Sequence, residues 1–171
     1  SRSYTQDHLL QDTVRGIGSL GGAKILYPNG TYAEATNANS SYFSSFDSNG
    51  FTVGNNAYNT TGEDYVTWNF KAGGAAVTNT DGTITSQVSA NTEAGFSIVS
   101  YLGNYTANQS VGHGLNKTPD VLIVKPRGQV SSWPVWHKDL TSTDYTLELE
   151  TTDAEASVPS RFGSLPTSSV F

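Results

Sequence analysis

The chain contains no cysteine and no methionine among its 171 residues. Without cysteine it can form no disulfide, and it offers neither a thiolate metal ligand nor a cysteine nucleophile. A natural reading frame begins with methionine, whereas this chain begins with Ser1, Arg2 and Ser3. We therefore expect the sequence to be part of a longer polypeptide.

Charged residues are scarce, and basic residues are fewer than acidic ones. Nine Lys and Arg against 15 Asp and Glu give a formal net charge of −6. Because this charge repels phosphate backbones and anionic lipid surfaces, we expect no nucleic-acid partner. No apolar run approaches the roughly 18 residues of a membrane-spanning helix, and no signal peptide is visible, so we also expect no membrane insertion.

Strand and turn chemistry is abundant. Hydrophobic residues make up 36% of the chain, and 17 glycines accompany many Ser, Thr and Asn residues. Apolar and polar residues alternate in four segments, as in half-buried strands, and a fifth segment is continuously apolar. These segments are residues 51–53, 65–70, 96–101, 145–150 and, continuously apolar, 121–124. We expect an all-β fold with less than about one residue in ten in helices, and a two-sheet core that includes Trp68, Phe70, Phe96, Ile98, Val121 and Ile123.

A loose internal repeat suggests how the chain is divided, since Ala33-Glu34-Ala35 recurs as Ala154-Glu155-Ala156. It predicts that residues 1–74 are the closing half of one β-sandwich module and residues 95–171 the opening half of the next, with 75–94 as a linker. Because an incomplete sandwich exposes sheet edges, the halves either combine within the chain or complete a neighbouring chain by strand addition. One ordinary domain with an accidental repeat is the alternative.

Several longer strings resemble a known family. They are residues 12–16, 46–54, 65–73, 95–101, 111–115, 119–125 and 133–137. These strings resemble a module common in marine bacteriophage virion and tail-fibre-like proteins, which is related to concanavalin A-like lectin and glucanase β-sandwiches. The resemblance implies a jelly-roll-like sandwich of two antiparallel sheets, repeated along a virion protein and located on the virion outside the cell. It implies no defined ligand, because a fold does not fix a function.

Aromatic residues give the clearest indication of a binding site. A lectin-like site stacks a sugar on an exposed ring and holds its hydroxyls with polar groups. Trp133 and Trp136 lie on opposite faces of a strand, which favours exposure of one ring. We therefore predict a glycan site formed by Trp133, Trp136, His137 and Asp139. Further ring candidates on loops or strand ends are Tyr42, Tyr58, Tyr101 and Tyr105.

A hydrolase of the glucanase type is the enzymatic alternative. A retaining enzyme needs two carboxylates roughly 5 Å apart, and Glu148 and Glu150 share one face if residues 145–150 form a strand. The string departs from the Glu-x-Asp-x-x-Glu pattern of the glucanase relatives, and two solvated acids on a polar sheet face explain it better. The three histidines are too widely spaced to predict a metal site, so we expect no metal and no cofactor.

These observations predict a non-enzymatic structural and adhesion module of a phage tail fibre or virion surface protein. Its expected partners are host-surface glycans, bound weakly, and other copies of the chain or other virion proteins. The alternatives are a β-sandwich glycoside hydrolase and a subunit that self-assembles into filaments by strand exchange.

Overall fold

The computed structural model describes residues 6–16, 24–36, 42–54, 58–159 and 161–171. These residues form eleven β-strands and no helix. The strands are β1 (Lys24–Ile25), β2 (Ala35–Thr36), β3 (Phe43–Asp47), β4 (Gly50–Val53), β5 (Val77–Asn79), β6 (Ser86–Asn91), β7 (Phe96–Tyr101), β8 (Val121–Ile123), β9 (Pro134–His137), β10 (Tyr145–Glu148) and β11 (Ala156–Ser157). The prediction of an all-β fold is confirmed, and the several antiparallel sheets are consistent with a β-sandwich.

The chain divides into two compact units, each formed by two stretches of sequence. The first unit contains Ser1–Asn69 and Pro126–Ser132, and the second contains Phe70–Lys125 and Trp133–Phe171. The first includes the antiparallel pairs β1–β2 and β3–β4, and the second includes a three-stranded sheet, β5-β6-β7, and a four-stranded sheet, β11-β10-β9-β8. These units do not follow the predicted division at residues 74 and 94.

The first unit has a small core around Ile25 and Phe43, against which Leu9 and Tyr27 pack. Phe43 begins the β3–β4 hairpin, whose two-residue turn follows Asp47. Both carboxylate oxygens of Asp47 accept hydrogen bonds at 2.8 Å from hydroxyls within the hairpin. These hydrogen bonds hold the Asp47 carboxylate at the turn of the hairpin.

A buried ion-pair network ties distant parts of the first unit together. The Arg15 guanidinium contacts Asp12 at 2.5 Å and Glu34 at 3.1 Å. Arg127 makes a two-pronged contact with the same Glu34 carboxylate, at 2.8 Å to each oxygen. Burial alone raises the pKa of Glu34, but hydrogen bonds from Arg127 and Arg15 outweigh it and hold that pKa below its usual value. The network joins Arg127 to Glu34, which lies 93 residues earlier in the chain and immediately precedes β2.

Residues 75–94, which were predicted to be a linker, contain the strands β5 and β6. β6 pairs with β7 over six residues, from Ser86 opposite Tyr101 to Asn91 opposite Phe96. The serines of β6 are buried, and their hydroxyls donate to main-chain carbonyls, Ser86 to Gly112 at 3.0 Å and Ser89 to Gly74 at 2.7 Å. These hydrogen bonds to the backbone offset the free-energy cost of removing the serine hydroxyls from water.

Within the four-stranded sheet of the second unit, the buried apolar residues lie on β9 rather than on β8. Val135 and Trp136 are successive residues of β9 and are both buried, so both faces of this strand are covered. β8 is the edge strand of the same sheet, and its Val121 and Ile123 are exposed. The expectation that these two residues belong to the core is therefore wrong, because an edge strand has only one sheet neighbour.

The same expectation is wrong for Trp68 and Phe70, which are 78% and 70% exposed. Residues 65–70 form no strand, although their alternation predicts one. Phe96 and Ile98 of β7 are half-buried, and the ring of Phe96 stacks on that of Phe70 at 5.2 Å between centroids. Among the described residues, no strand therefore pairs with residues 65–70.

The end of the chain pairs with residues 111–113 in the second unit. Val111 and Phe171 exchange backbone hydrogen bonds of 2.8 and 3.0 Å. The buried His113 ring fixes the same junction, because its Nδ1 accepts the Leu115 N–H at 3.2 Å and its Nε2 lies 3.2 Å from the Thr167 carbonyl oxygen. This pattern places the proton of the neutral ring on Nε2, which donates to Thr167.

Candidate functional site

A cleft of about 320 Å³ opens beside the end of β9 in the second unit. Its volume is at the lower end of the range of about 300–1,000 Å³ that is usual for small-ligand pockets. Apolar and hydroxyl-bearing side chains share its lining, which consists of Thr118, Trp136, His137, Lys138, Leu140, Ser142, Thr143, Leu165 and Pro166. Two of the four predicted site residues, Trp136 and His137, therefore line one cleft.

Trp136 lines this cleft although it is almost fully buried. The residue is 5% exposed and lies opposite Leu122 in the β8–β9 register. A ring that is buried to this extent cannot offer a full face for stacking. The indole thus shapes the cleft while its main contribution is to the core of the unit.

His137 supplies the polar group whose orientation is best defined. Its Nδ1 accepts the backbone N–H of Asp139 at 3.1 Å, so the neutral ring carries its proton on Nε2. No hydrogen bond joins this Nε2 to the described part of the chain. His137 can therefore donate a hydrogen bond from Nε2 to a ligand hydroxyl.

Asp139 acts on His137 from outside the cleft. Its carboxylate lies 3.9 Å from His137 Nδ1, and its side chain is 73% exposed. The neighbouring Lys138 forms an ion pair with Asp120 at 3.2 Å, and this hydrogen bond raises the pKa of Lys138. Asp139 thus positions the imidazole through its main chain, whereas its predicted role as a direct ligand contact has no counterpart in the lining of the cleft.

Trp133 lies away from the cleft and is 3% exposed. Its backbone N–H donates to Glu150 Oε2 at 3.0 Å, and the Lys125 ammonium lies 5.9 Å from the ring centroid. The expectation that Trp133 or Trp136 is exposed is therefore wrong, because Trp133, just before β9, and Trp136, within β9, are both buried. Among the tryptophans it is Trp68, assigned to the core from its alternating pattern, that faces solvent.

A tyrosine cluster in the first unit was predicted only in part. Tyr58 lies 5.8 Å from Tyr42 and 6.5 Å from Tyr65 between ring centroids. Its hydroxyl donates to the Asp7 carbonyl oxygen at 2.5 Å. Burial first, and then the nearby tyrosines and Asp7, raise the pKa of Tyr58 to about 12. Tyr42 and Tyr58 were candidates from their loop positions, but nothing in the sequence indicates that they meet each other.

The two carboxylates of the hydrolase alternative have separate structural partners. β10 ends at Glu148, so Glu150 lies in the following turn rather than two residues along the same strand. Glu148 pairs with Arg161, while Glu150 accepts the Trp133 N–H. This arrangement does not favour a nucleophile and acid pair, because both groups are engaged in holding loops.

No group of three or more His, Asp or Glu side chains among the described residues is arranged to hold a metal ion. The three histidines lie in different environments: His8 is exposed, His113 is buried beside Thr167, and His137 lines the cleft. A helix long and apolar enough to cross a membrane is likewise not found in the described ranges.

Comparison with known proteins gives a family but no relative of known function. No curated protein and no solved structure matches the chain. The model of the family DUF7483, described as a domain of unknown function, matches residues 1–171. The chain therefore belongs to the DUF7483 family.

Proposed function

We propose that this chain is a non-enzymatic structural and adhesion module that binds a neutral saccharide weakly in the cleft beside His137. The observation that carries the proposal is the composition of this cleft. It combines the apolar residues Trp136, Leu140 and Leu165, a donor at His137 Nε2, and hydroxyls on Thr118, Ser142 and Thr143. Sugars present both apolar C–H surfaces and hydroxyls, so they need this mixture of groups.

The charge of the chain favours a neutral ligand. The formal net charge of −6 repels sulfated and carboxylated glycans at long range. Lys138, the cation in the lining, already pairs with Asp120. An acidic sugar would therefore gain little from the cleft and would be repelled by the rest of the surface.

The setting that we propose for this module is the surface of a virion or phage tail fibre, with the jelly-roll-like sandwich of concanavalin A-like lectins. This part of the proposal depends on the sequence resemblance described above. The all-β architecture with antiparallel sheets is compatible with it. In this setting the ligand would be a host-surface glycan, and weak single-site binding would be offset by many copies on one particle.

The experiment is a screen of neutral and sulfated glycans, followed by titration of the best neutral ligand with NMR detection. We expect His137→Ala to weaken binding about tenfold, the loss that corresponds to one good hydrogen bond of about 1.4 kcal/mol. His8→Ala is the matched control, because His8 is an exposed histidine in the other unit. Binding that is unchanged by His137→Ala, or equally weakened by both variants, would contradict the proposed site.

The same preparation tests the enzymatic alternative. We expect no release of reducing ends from β-glucans by the unmodified chain, because Glu148 and Glu150 are held by Arg161 and by the Trp133 N–H. Release that disappears in Glu148→Gln and Glu150→Gln would show a hydrolase and refute the proposal.

A further inference from the structure

Residues 66, 68 and 70 form the most exposed apolar row in the described part of the chain. Val66, Trp68 and Phe70 are 69%, 78% and 70% exposed. They alternate with Thr67 and Asn69, so an extended segment presents all three on one face. Scattered apolar residues on a surface are ordinary, but a contiguous row with a tryptophan at its centre is typical of an interaction site.

The main chain of this segment is also available for pairing. The backbone groups of residues 66–70 form no hydrogen bond with any described residue. Their sequence has the alternation and the aromatic content of a strand, yet no ladder includes them. The segment thus has the pattern of a β-strand and lacks a partner strand.

β8 offers an edge of matching chemistry. The Val124 N–H donates to the Pro134 carbonyl of β9, and the Asp120 carbonyl accepts the N–H of Lys138 just after β9, at 3.0 Å each. By alternation, the main-chain groups of Val121 and Ile123 therefore point away from the sheet. The side chains of Val121 and Ile123 are 45% and 51% exposed and lie on one face. A short, open edge with two exposed β-branched side chains is the kind of edge to which a strand adds.

We propose that residues 65–70 of one copy add as an antiparallel strand to the outer edge of β8 in a second copy. One register satisfies both the side chains and the charges. It places Val66 opposite Ile123 and Trp68 opposite Val121, which are apolar cross-strand pairs on one face.

The charges at the ends of the two segments select the antiparallel orientation. In this register Asp64 lies opposite Lys125, and Lys71 comes close to Asp120. A parallel arrangement would instead bring Asp64 towards Asp120 and Lys71 towards Lys125, which are like charges. Lys125 also lies over the Trp133 ring, so its ammonium is held near the end of β8.

The area involved indicates a weak contact between two copies. The exposed parts of Val66, Trp68 and Phe70 amount to roughly 400 Å², since an aromatic side chain offers about 150–250 Å². A partner in a standard interface contributes about 800 Å². We therefore expect dissociation constants in the micromolar to millimolar range. The donor and acceptor are different surfaces, so copies associate either as a reciprocal dimer or head to tail in a growing chain.

Solution mass is the first test. Analytical ultracentrifugation of the full chain from about 5 µM to about 1 mM should show association that increases with concentration. Trp68→Ser should raise the dissociation constant about thirtyfold, the effect of losing an interface tryptophan. Leu102→Ser is the matched control, because Leu102 is 87% exposed but lies outside both segments. A monomer throughout this range overturns the proposal, and so does association that Trp68→Ser leaves unchanged.

Charge reversal tests the register. Asp64→Lys and Lys125→Glu should each weaken association about two- to fivefold, as expected for a surface ion pair, and the double variant should restore it. Glu93→Lys, a reversal at an exposed turn, should have no effect. Failure of the double variant to restore association, with each variant still folded by circular dichroism, overturns the antiparallel register.

The lack of native cysteine allows a direct test of strand neighbours. A copy with Trp68→Cys and a copy with Val121→Cys should form a mixed disulfide on mild oxidation, because directly opposite residues lie within the Cα separation of about 4.4–6.8 Å that a disulfide requires. Thr67→Cys should crosslink poorly to Val121→Cys, because its side chain points to the other face. Equal crosslinking by both pairs overturns the proposal. The proposal is also overturned if the chain is monomeric and Trp68→Ser abolishes glycan binding, because the exposed row would then bind glycan rather than a second copy.

Discussion

The three tryptophans differ in burial, so the same substitution to alanine at each site should change the free energy of unfolding by different amounts. Trp133 and Trp136 are 3% and 5% exposed, whereas Trp68 is 78% exposed. A buried indole removes about 150–250 Å² from water, which at about 25 cal/mol per Å² corresponds to roughly 4–6 kcal/mol. Because the unfolded chain already buries part of this area, the free energy of unfolding should fall by about 3–5 kcal/mol on Trp133→Ala or Trp136→Ala.

This loss is large compared with the total stability of a domain, which is about 5–15 kcal/mol. Urea unfolding should therefore be followed both by far-ultraviolet circular dichroism and by fluorescence, so that the two units can be observed as separate transitions if they unfold separately. With m-values of about 1–3 kcal/mol per molar urea, the loss of each buried tryptophan should lower the urea midpoint by about 1 M or more. Trp68→Ala should change the free energy of unfolding by less than about 0.5 kcal/mol in the monomer.

Two results would refute the reasoning. A loss of less than about 1 kcal/mol for Trp133→Ala would mean that its ring is not in the core, since buried large-to-small changes cost more than this. An equal loss for Trp68→Ala would mean that its indole is buried within one chain. Trp136→Phe provides a milder variant, because it keeps an aromatic ring and should remain folded for glycan titration.

Two further predictions concern the buried polar groups. Glu34→Gln should lower the free energy of unfolding by about 3 kcal/mol in urea titrations. The substitution weakens the contacts of Arg15 and Arg127 and leaves their positive charges poorly compensated. A loss below about 1 kcal/mol would show that the network contributes little to stability. Burial lowers the pKa of His113 below its usual 6.5, although its hydrogen bond to Thr167 opposes this. The unfolded state therefore binds more protons, so this group's stabilisation is complete above pH 6.5 and is lost as the pH falls through the lowered pKa. His113→Gln should reduce the slope of stability against pH below pH 6.5, and an unchanged slope would contradict the assignment.

The sequence predicted the fold class because strand and turn chemistry are local properties. Alternation located β4, β7 and β10, and the continuous apolar run located β8. β5 and β6 were missed, since a Ser- and Asn-rich segment has little apolar alternation. Its serines are buried because their hydroxyls reach carbonyls at Gly112 and Gly74, and these partners come from distant parts of the chain. Sequence periodicity contains no information on such partners.

The candidate site was predicted where neighbouring residues define it. Trp136 and His137 are adjacent in the sequence and line the same cleft. Thr118, Ser142 and Leu165 line it too, but they come from three separate loops and no pattern in the sequence connects them. Trp133 was misassigned for a related reason: alternation indicates which way a side chain points from its strand, but not whether something covers that face.

The exposed row at residues 66, 68 and 70 was misassigned for the same reason, but here the face that was expected to be covered is exposed. Its alternation predicts a half-buried strand, and within one described chain no strand covers it. Burying about 400 Å² of this row would contribute roughly 10 kcal/mol at about 25 cal/mol per Å². Association of two free copies costs an estimated 4–15 kcal/mol in lost motion and ordering, so one contact in dilute solution is close to balance.

That balance changes when copies are held side by side. A high effective concentration lowers the free-energy cost of bringing two copies together, because they have already lost most of their relative motion. The same strand pairing then becomes stable without any new contact. The proposed position of this module in a repeated virion protein would provide such a concentration. We therefore expect an isolated chain to associate only weakly and tandem copies to associate strongly through Trp68 and Val121. Both behaviours would follow from the same interface.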